Sequence, residues 1–300
     1  MKSTYMDRFI KKSDATGRLH LAVKPIGTKT GRPASDGLMN VPREIAIKSL
    51  FVAKEGCKIV QGDLSQAEVR CFAHYANESV LRDAFEVEGI DVHSMVAAEV
   101  NNINLDLFME QIKEENKEYE VMRSAAKAVV FGLLFGRGAR SIAQQCGLTL
   151  EAAEDFMFRF FKRFPNCAKW IKDTHALVER TGEVYNIFGR VRHIPGIYAF
   201  DKKTKERAKR QSVNSIVQST ASDITILALI SIHRHLRDNN IPANIVLTVY
   251  DSILIEAVDE YVEYSKKLLV DTMERKPTSD FTVKMRADLD VYQEWGVKVH

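Results

Sequence analysis

The β-rich segments of this chain stand far apart. Residues 58–64, KIVQGDL, make one, and residues 244–258, NIVLTVYDSILIEAV, make two more. Most of the intervening sequence has helical periodicity. A lone strand is unstable in water, so the segments near the two ends must meet across a long helical insertion, which is an α+β arrangement. Within the second segment, Ile245–Val249 and Ile253–Ile255 are apolar, β-branched runs that flank Tyr250-Asp251-Ser252. A carboxylate thus lies between two strands that both look buried. An unpaired buried carboxylate costs several kcal/mol, so Asp251 is either a turn residue open to water or one with a partner.

The local patterns fill in this outline. Residues 17–42 are dense in turn residues and read as short strands and an ordered loop. Helices are expected at Ala67–Tyr75, His93–Val100, Leu105–Glu115, Tyr119–Phe135, Leu150–Phe164 and Ala168–Thr181. A hairpin is expected over 182–195, with Phe188-Gly189-Arg190 at its turn, and then a long helix from about Lys205 to Leu236. Another helix near Asp259–Glu274 and a closing strand at Thr282–Leu289 complete the chain.

The 300 residues suit one large domain or two joined ones, and 45% apolar with 28% charged residues is ordinary for a soluble protein. A net charge of +3 permits a nucleic-acid partner without demanding one. Cys57, Cys71, Cys146 and Cys167 are far apart, with no CxxC pair, and read as reduced, mostly buried thiols. The N-terminus lacks the apolar core of a signal peptide, and the longest near-apolar run, Ile224–Ile232, is too short to span a bilayer. These features describe a cytoplasmic protein with no membrane partner.

If the end segments pair, Asp63 and Asp251 approach one another. Two carboxylates about 4 Å apart repel by about 4 kcal/mol at an effective dielectric of about 20. One then protonates unless a cation holds both. Oxygen-only ligation with open positions suits Mg²⁺ or Mn²⁺, and a pair of such ions serves in-line phosphoryl transfer. Two unrelated turn aspartates are the alternative.

Residues 123–136, RSAAKAVVFGLLFG, place Arg123, Lys127, Phe131 and Phe135 four apart. On a helix that row drifts by about 40° per step and spans about 18 Å, so one face carries two cations followed by two rings. Such a face suits a triphosphate and a sugar or base, though an amphipathic helix with snorkelling cations has the same pattern. A second row, Arg210, Asn214, Gln218 and Ser222, runs along the long helix opposite Val213, Ile216 and Val217. It suits a nucleic-acid groove or a solvated face. Six cations against one acid over 202–210 suit phosphate contacts or, equally, solvent.

In this order the stretches resemble the family A DNA polymerases, the bacterial polymerase I type found also in phages. DLSQAEVR (63–70) and VYDSILIE (249–256) are similar to the two palm motifs, and RSAAKAVVFGLLFG to the mobile fingers helix. TGRPAS (30–35) with NVP (40–42), DVHSMVA (91–97), RQSVNSIVQSTASD (210–223) and the final EWGVKVH also match. The resemblance implies a palm in two parts, 1–70 and 223–300, around fingers at 71–222. It implies Asp63 and Asp251 as ligands of two Mg²⁺ ions, Mn²⁺ serving as well, helped by the Leu64 carbonyl. Glu68 would exclude a ribose 2′-hydroxyl. His93, Arg123, Lys127, Phe131 and Phe135 would bind the deoxynucleoside triphosphate, with Lys127 also general acid to pyrophosphate. Arg32, Asn40, Arg210, Asn214 and Gln218 would contact primer–template DNA.

The departures carry their own expectations. The second palm motif usually reads His-Asp-Glu and here reads Tyr250-Asp251-Ser252, so an accessory acid is lost while both principal ligands stay. Phenylalanine at 131 implies poor use of dideoxynucleotides, and phenylalanine in place of tyrosine at 135 implies altered insertion accuracy. The match starts just upstream of TGRPAS, so thumb and exonuclease are expected to be absent. These residues would then be either a fragment of a longer polymerase or one half of a split one whose partner chain supplies the thumb, and alone they would hold DNA weakly. Single-subunit RNA polymerases of the phage type share the layout and the Asp-Ser pair. Glu68 and Phe131 argue against that reading. The third reading is a non-catalytic DNA-binding subunit, against which both aspartates and both fingers cations argue.

Overall fold

In the computed structural model, residues 7–20, 22–35, 37, 39, 41, 45–87, 90–134 and 138–299 are described. A short helix α1 (Asp7–Lys12) opens the chain, and the minimal strands β1 (Val23–Lys24) and β2 (Ala34–Ser35) pair antiparallel. Helix α2 (Ile45–Lys48) leads into β3 (Cys57–Leu64). Eight helices follow: α3 (Ala67–Ala76), α4 (Ser79–Glu86), α5 (Val92–Asn101), α6 (Leu105–Lys113), α7 (Lys117–Leu134), α8 (Ala139–Cys146), α9 (Leu150–Arg163) and α10 (Pro165–Thr181). The hairpin β4 (Glu183–Tyr185) and β5 (Val191–His193) precedes α11 (Lys202–Asp238). The chain closes with β6 (Ala243–Val249), β7 (Ser252–Val258), α12 (Val262–Met273), β8 (Ala287–Glu294) and β9 (Val297–Lys298).

The chain divides into two units. The first comprises residues 1–65, 221–277 and 285–300, and the second comprises 66–220 and 278–284. The first is built on a five-stranded antiparallel sheet in the order β6-β7-β3-β8-β9. β3, from the first quarter of the chain, lies between β7 and β8 from its last quarter, so the two ends do share one sheet. On β3 the side chains alternate. Val60 and Gly62 face α12, close enough that a Cβ on Gly62 would lie 2.8 Å from Met273 Sδ. Cys57 and Ile59 face the other way and pack with Ala53, Leu254, Tyr292 and Trp295. The same row continues through Gln61 to Asp63.

The second unit is helical, and its helix ends follow the sequence. Asp91, Asn104 and Thr149 cap α5, α6 and α9 by accepting from the backbone N–H three residues on. Gly147 and Gly182 end α8 and α10 in the left-handed conformation that glycine adopts without strain. Trp170 on α10 stacks on Tyr75 and meets Phe72 edge-on, both centroids 5.5 Å away. The Tyr75 hydroxyl bonds Thr220 Oγ1 at 2.6 Å and accepts from Ile187 N–H. Asn186 Oδ1 accepts from Phe188 N–H and Arg190 N–H, which sets the hairpin turn where the sequence indicates it.

Several expectations shift. The sequence pattern predicts neither α4 nor α8; both have eight residues and neither has a capping side chain. The closing strand is β8 at Ala287–Glu294, not Thr282–Leu289. The alternating burial of Phe281, Val283 and Met285 imitates a strand. Residues 278–284 belong instead to the helical unit, where the Lys284 carbonyl accepts from Arg70 and the Thr282 N–H bonds His74 Nδ1. The apolar run near Ile224 forms part of α11, which by length and composition alone is apolar enough to cross a membrane. Of that 18-residue window, 61% is buried inside the protein, as expected of a core helix. Cys57, Cys71 and Cys167 are buried free thiols.

Candidate active site

The sheet unit holds a carboxylate cluster at one end of β3. In the register Asp63 stands opposite Ser252 on β7 and Asp288 on β8, and Gln61 stands opposite Leu254 and Asp290. Directly opposed residues of antiparallel strands share a face, so Asp63, Asp288 and Asp290 share one. Asp251 occupies the two-residue turn between β6 and β7, and its carbonyl accepts from Leu64 N–H at 3.1 Å. That bond ties the end of β3 to the turn. Tyr250, the other turn residue, has φ of 55°, an uncommon conformation for a residue with a Cβ. The Arg32 guanidinium lies 5.6 Å from the centroid of its ring.

Burial raises the Asp63 carboxyl above its ordinary value. The Ser252 hydroxyl bond opposes the rise, Asp288 and Asp290 add to it, and Lys48 opposes it. Asp63 is thus a half-buried anion in surroundings that disfavour its charge, which is what a bound cation relieves. Asp63, Asp251 and the Leu64 carbonyl, the groups singled out from sequence, offer oxygen donors only, the kind that Mg²⁺ or Mn²⁺ takes. Among the described residues, no three His, Cys, Asp or Glu side chains converge as a ready-made metal cluster.

In the helical unit a second constellation forms between α5 and α7. Arg123 Nε donates to Asp91 Oδ2 at 2.6 Å, and the same oxygen accepts from Ser94 N–H and Oγ–H at the start of α5. Burial alone would raise the Asp91 carboxyl, but the Arg123 and Ser94 bonds prevail and lower it. His93 is buried, and its ring centroid is 5.5 Å from that of Phe131. Burial pushes its imidazole down to about 4; Asp91 opposes the shift, and Lys127 and Arg123 reinforce it. Its Nδ1 is buried with no hydrogen-bond partner among the described residues. Lys127 is exposed, while Ala125, Ala126, Ala128, Val129 and Val130 are buried, so the cation row occupies the open face of α7.

The remaining residues singled out from sequence fall as follows. Glu68 is in the first turn of α3. Arg210, Asn214 and Gln218 lie along one side of α11, with Val213, Ile216 and Val217 buried behind them. Asn214 Oδ1 is buried and lacks a partner among the described residues. In the basic run before them, Lys209 bonds Glu179 at 2.7 Å and is occupied within the protein. Phe135 and Asn40 lie outside the described residues. Sequence reasoning missed Asp91, Ser252 and Asp288. Asp91 was detectable as a helix cap, an Asp three residues before Ser94 at a helix start.

A family-wide sequence model, DNA polymerase family A, matches residues 1–297. DNA polymerase I of Pseudomonas aeruginosa is 33% identical over 270 residues, covering 88% of this chain and 28% of that protein. The thermostable DNA polymerase I of Thermus aquaticus is 32% identical over 302 residues, covering 98% and 34%. Among solved structures, the POL domain of Pol1 from M. smegmatis, in complex with DNA primer-template and dNTP, matches with a TM-score of 0.87 and 26% identity. That match covers 98% of this chain and 51% of the other. The chain thus spans about a third of the length of the curated relatives it matches.

Proposed function

This chain belongs to DNA polymerase family A, and from that premise we propose that it transfers nucleotides from deoxynucleoside triphosphates to a primer 3′-hydroxyl under template direction. The observation that carries the reading is the pairing of β3 with β7 and β8, which sets Asp63 beside the turn that bears Asp251. The sheet unit then serves as palm and the helical unit as fingers. Asp63, Asp251 and the Leu64 carbonyl would hold divalent ions, which when bound would supply charge neutralisation at the reacting phosphate and hydroxyl.

The protein's own groups do the rest. Arg123 offers a planar fork to the triphosphate and Lys127 a mobile point charge. Lys127 is the general acid toward pyrophosphate. Phe131 packs on the sugar, while Glu68 rejects a 2′-hydroxyl. His93, neutral at physiological pH, is a hydrogen-bonding partner for the phosphates. Arg32, Asn40, Arg210, Asn214 and Gln218 take the primer–template. The unsatisfied Asn214 Oδ1 supports that role, since buried polar atoms are rarely left without partners. Duplex binding by residues 1–300 alone is expected to be weak, and a thumb-bearing fragment supplied as a separate chain should tighten it.

Primer extension with Mg²⁺ and four deoxynucleotides, beside Asp251→Asn, tests the reading. Extension by the parent chain and loss in the variant are expected. Extension that survives the substitution would overturn the assignment of Asp251. Ribonucleotides incorporated as readily as deoxynucleotides would favour an RNA polymerase instead.

A further inference from the structure

We propose that Ser252 is a positioning residue for Asp63: its hydroxyl, itself held by Gln61 and Trp295, fixes how the Asp63 carboxylate is presented to a divalent cation. The proposal rests on Asp63 being a cation ligand.

The argument starts from register. Ser252 and Asp63 are directly opposed on β7 and β3, and Ser252 Oγ donates to Asp63 Oδ2. An acid at 252 would oppose like charge to like charge across the ladder. A serine supplies one proton. Which way that proton points is set further along the row. Trp295 Nε1 can only donate, and it donates to Gln61 Oε1 at 2.9 Å. The amide oxygen of Gln61 is thereby committed to the indole, so its Nε2 faces Ser252 Oγ, at 3.4 Å. Ser252 accepts from Gln61 and is left with Asp63 as the acceptor for its own hydrogen. Trp295–Gln61–Ser252–Asp63 is therefore a relay with a single polarity.

The anchor of the relay is rigid. Trp295 is buried, meets the Phe51 ring edge-on at 5.9 Å, and carries the Lys48 ammonium 4.7 Å above its face. Ser252 is buried as well. On the other side of Asp63, Asp288 stands opposite it on β8 and offers only repulsion. The carboxylate is thus held toward β7 by Ser252. Groups that orient metal ligands in this manner are typically worth ten-fold or more in metal affinity.

Mn²⁺ binding to the purified chain, followed by the loss of the free-ion EPR signal without DNA or nucleotide, tests this apart from catalysis. The variants are Ser252→Ala, Ser252→Thr, Trp295→Phe and Asp63→Asn, each checked for folding by circular dichroism. Asp63→Asn should abolish the site. Ser252→Ala should weaken it roughly ten-fold, while Ser252→Thr, which keeps the hydroxyl, should restore parent affinity. Trp295→Phe keeps a buried ring and removes the donor, and should weaken binding in the same direction. Parent affinity in Ser252→Ala, with the site lost in Asp63→Asn, would overturn the positioning role and leave Asp63 a ligand. Unchanged binding in Asp63→Asn would overturn the metal-ligand reading and the proposal with it.

Discussion

Arg123 and Asp91 are joined through the oxygen that also begins helix α5, since Asp91 Oδ2 accepts from Arg123 Nε at 2.6 Å and from Ser94 N–H at 3.1 Å. One carboxylate thus caps a helix and holds the guanidinium that we propose binds the triphosphate. Asparagine caps about as well as aspartate but carries no charge, so Asp91→Asn separates the two roles. It should keep the cap, lose about 1 kcal/mol of stability with the charge assistance of the Arg123 bond, and raise the KM for deoxynucleotides. Asp91→Ala should also lose the cap, at a further cost of about 1 kcal/mol. Steady-state kinetics and thermal unfolding on the same preparations check both. An unchanged KM in Asp91→Asn would show that the pair is structural only.

His93 should make stability depend on pH. Its imidazole titrates near 6.5 in the unfolded chain and about 4 in the fold, chiefly because it is buried. Between those values the unfolded chain carries a proton that the folded protein lacks, so stability rises with pH across the window. The contribution is complete above 6.5 and disappears as the pH falls through 4. It amounts to on the order of 3 kcal/mol. Urea unfolding at several pH values should show this slope in the parent and lose it in His93→Gln. The ring proton shift followed by NMR should stay that of a neutral imidazole at pH 5.5.

The sheet was legible in the sequence and the site only partly so. Runs such as Ile245–Val249 and Lys58–Leu64 favour strands by side-chain shape, and their separation required the ends to meet, so β3, β6 and β7 could be anticipated. Phe281, Val283 and Met285 misled because alternating burial looks the same whether the backbone joins a ladder or is held by Arg70 and His74. Asp63, Asp251, Arg123 and Lys127 stood out only when their stretches were taken together, because each pattern alone also suits turn aspartates or an amphipathic helix. Ser252 did not. A serine in a turn is unremarkable, and only the register sets it opposite Asp63.

Gly62, the neighbour of Asp63, should resist substitution. A Cβ there would meet Met273 Sδ at 2.8 Å and Leu269 Cβ at 3.4 Å, so α12 packs directly on the β3 backbone. The Met273 side chain can yield to one methyl group, and Gly62→Ala should cost about 1 kcal/mol. Gly62→Val must push α12 outward and should cost about 3 kcal/mol. Equilibrium urea unfolding measures both, and a Val variant as stable as the parent would mean that α12 is free to shift.

Arg70, at the end of DLSQAEVR, should prove structural. It is buried, its guanidinium lies 4.3 Å from the Phe85 centroid, and Nη1 donates to the Lys284 carbonyl. The flat guanidinium meets a ring and a backbone oxygen at once, which an ammonium cannot do. Arg70→Lys should therefore lose about 1–2 kcal/mol, mostly the cation–π contact. Arg70→Leu leaves the carbonyl unsatisfied and should lose about 3 kcal/mol. The effect should concentrate where the bond ends. The Thr282 N–H, held by His74 Nδ1 at 3.3 Å, sits two residues from Lys284, and its hydrogen exchange should accelerate with that of residues 281–284 in both variants. Exchange that accelerates evenly over the whole chain would mean that Arg70 contributes only to global stability and does not hold this segment.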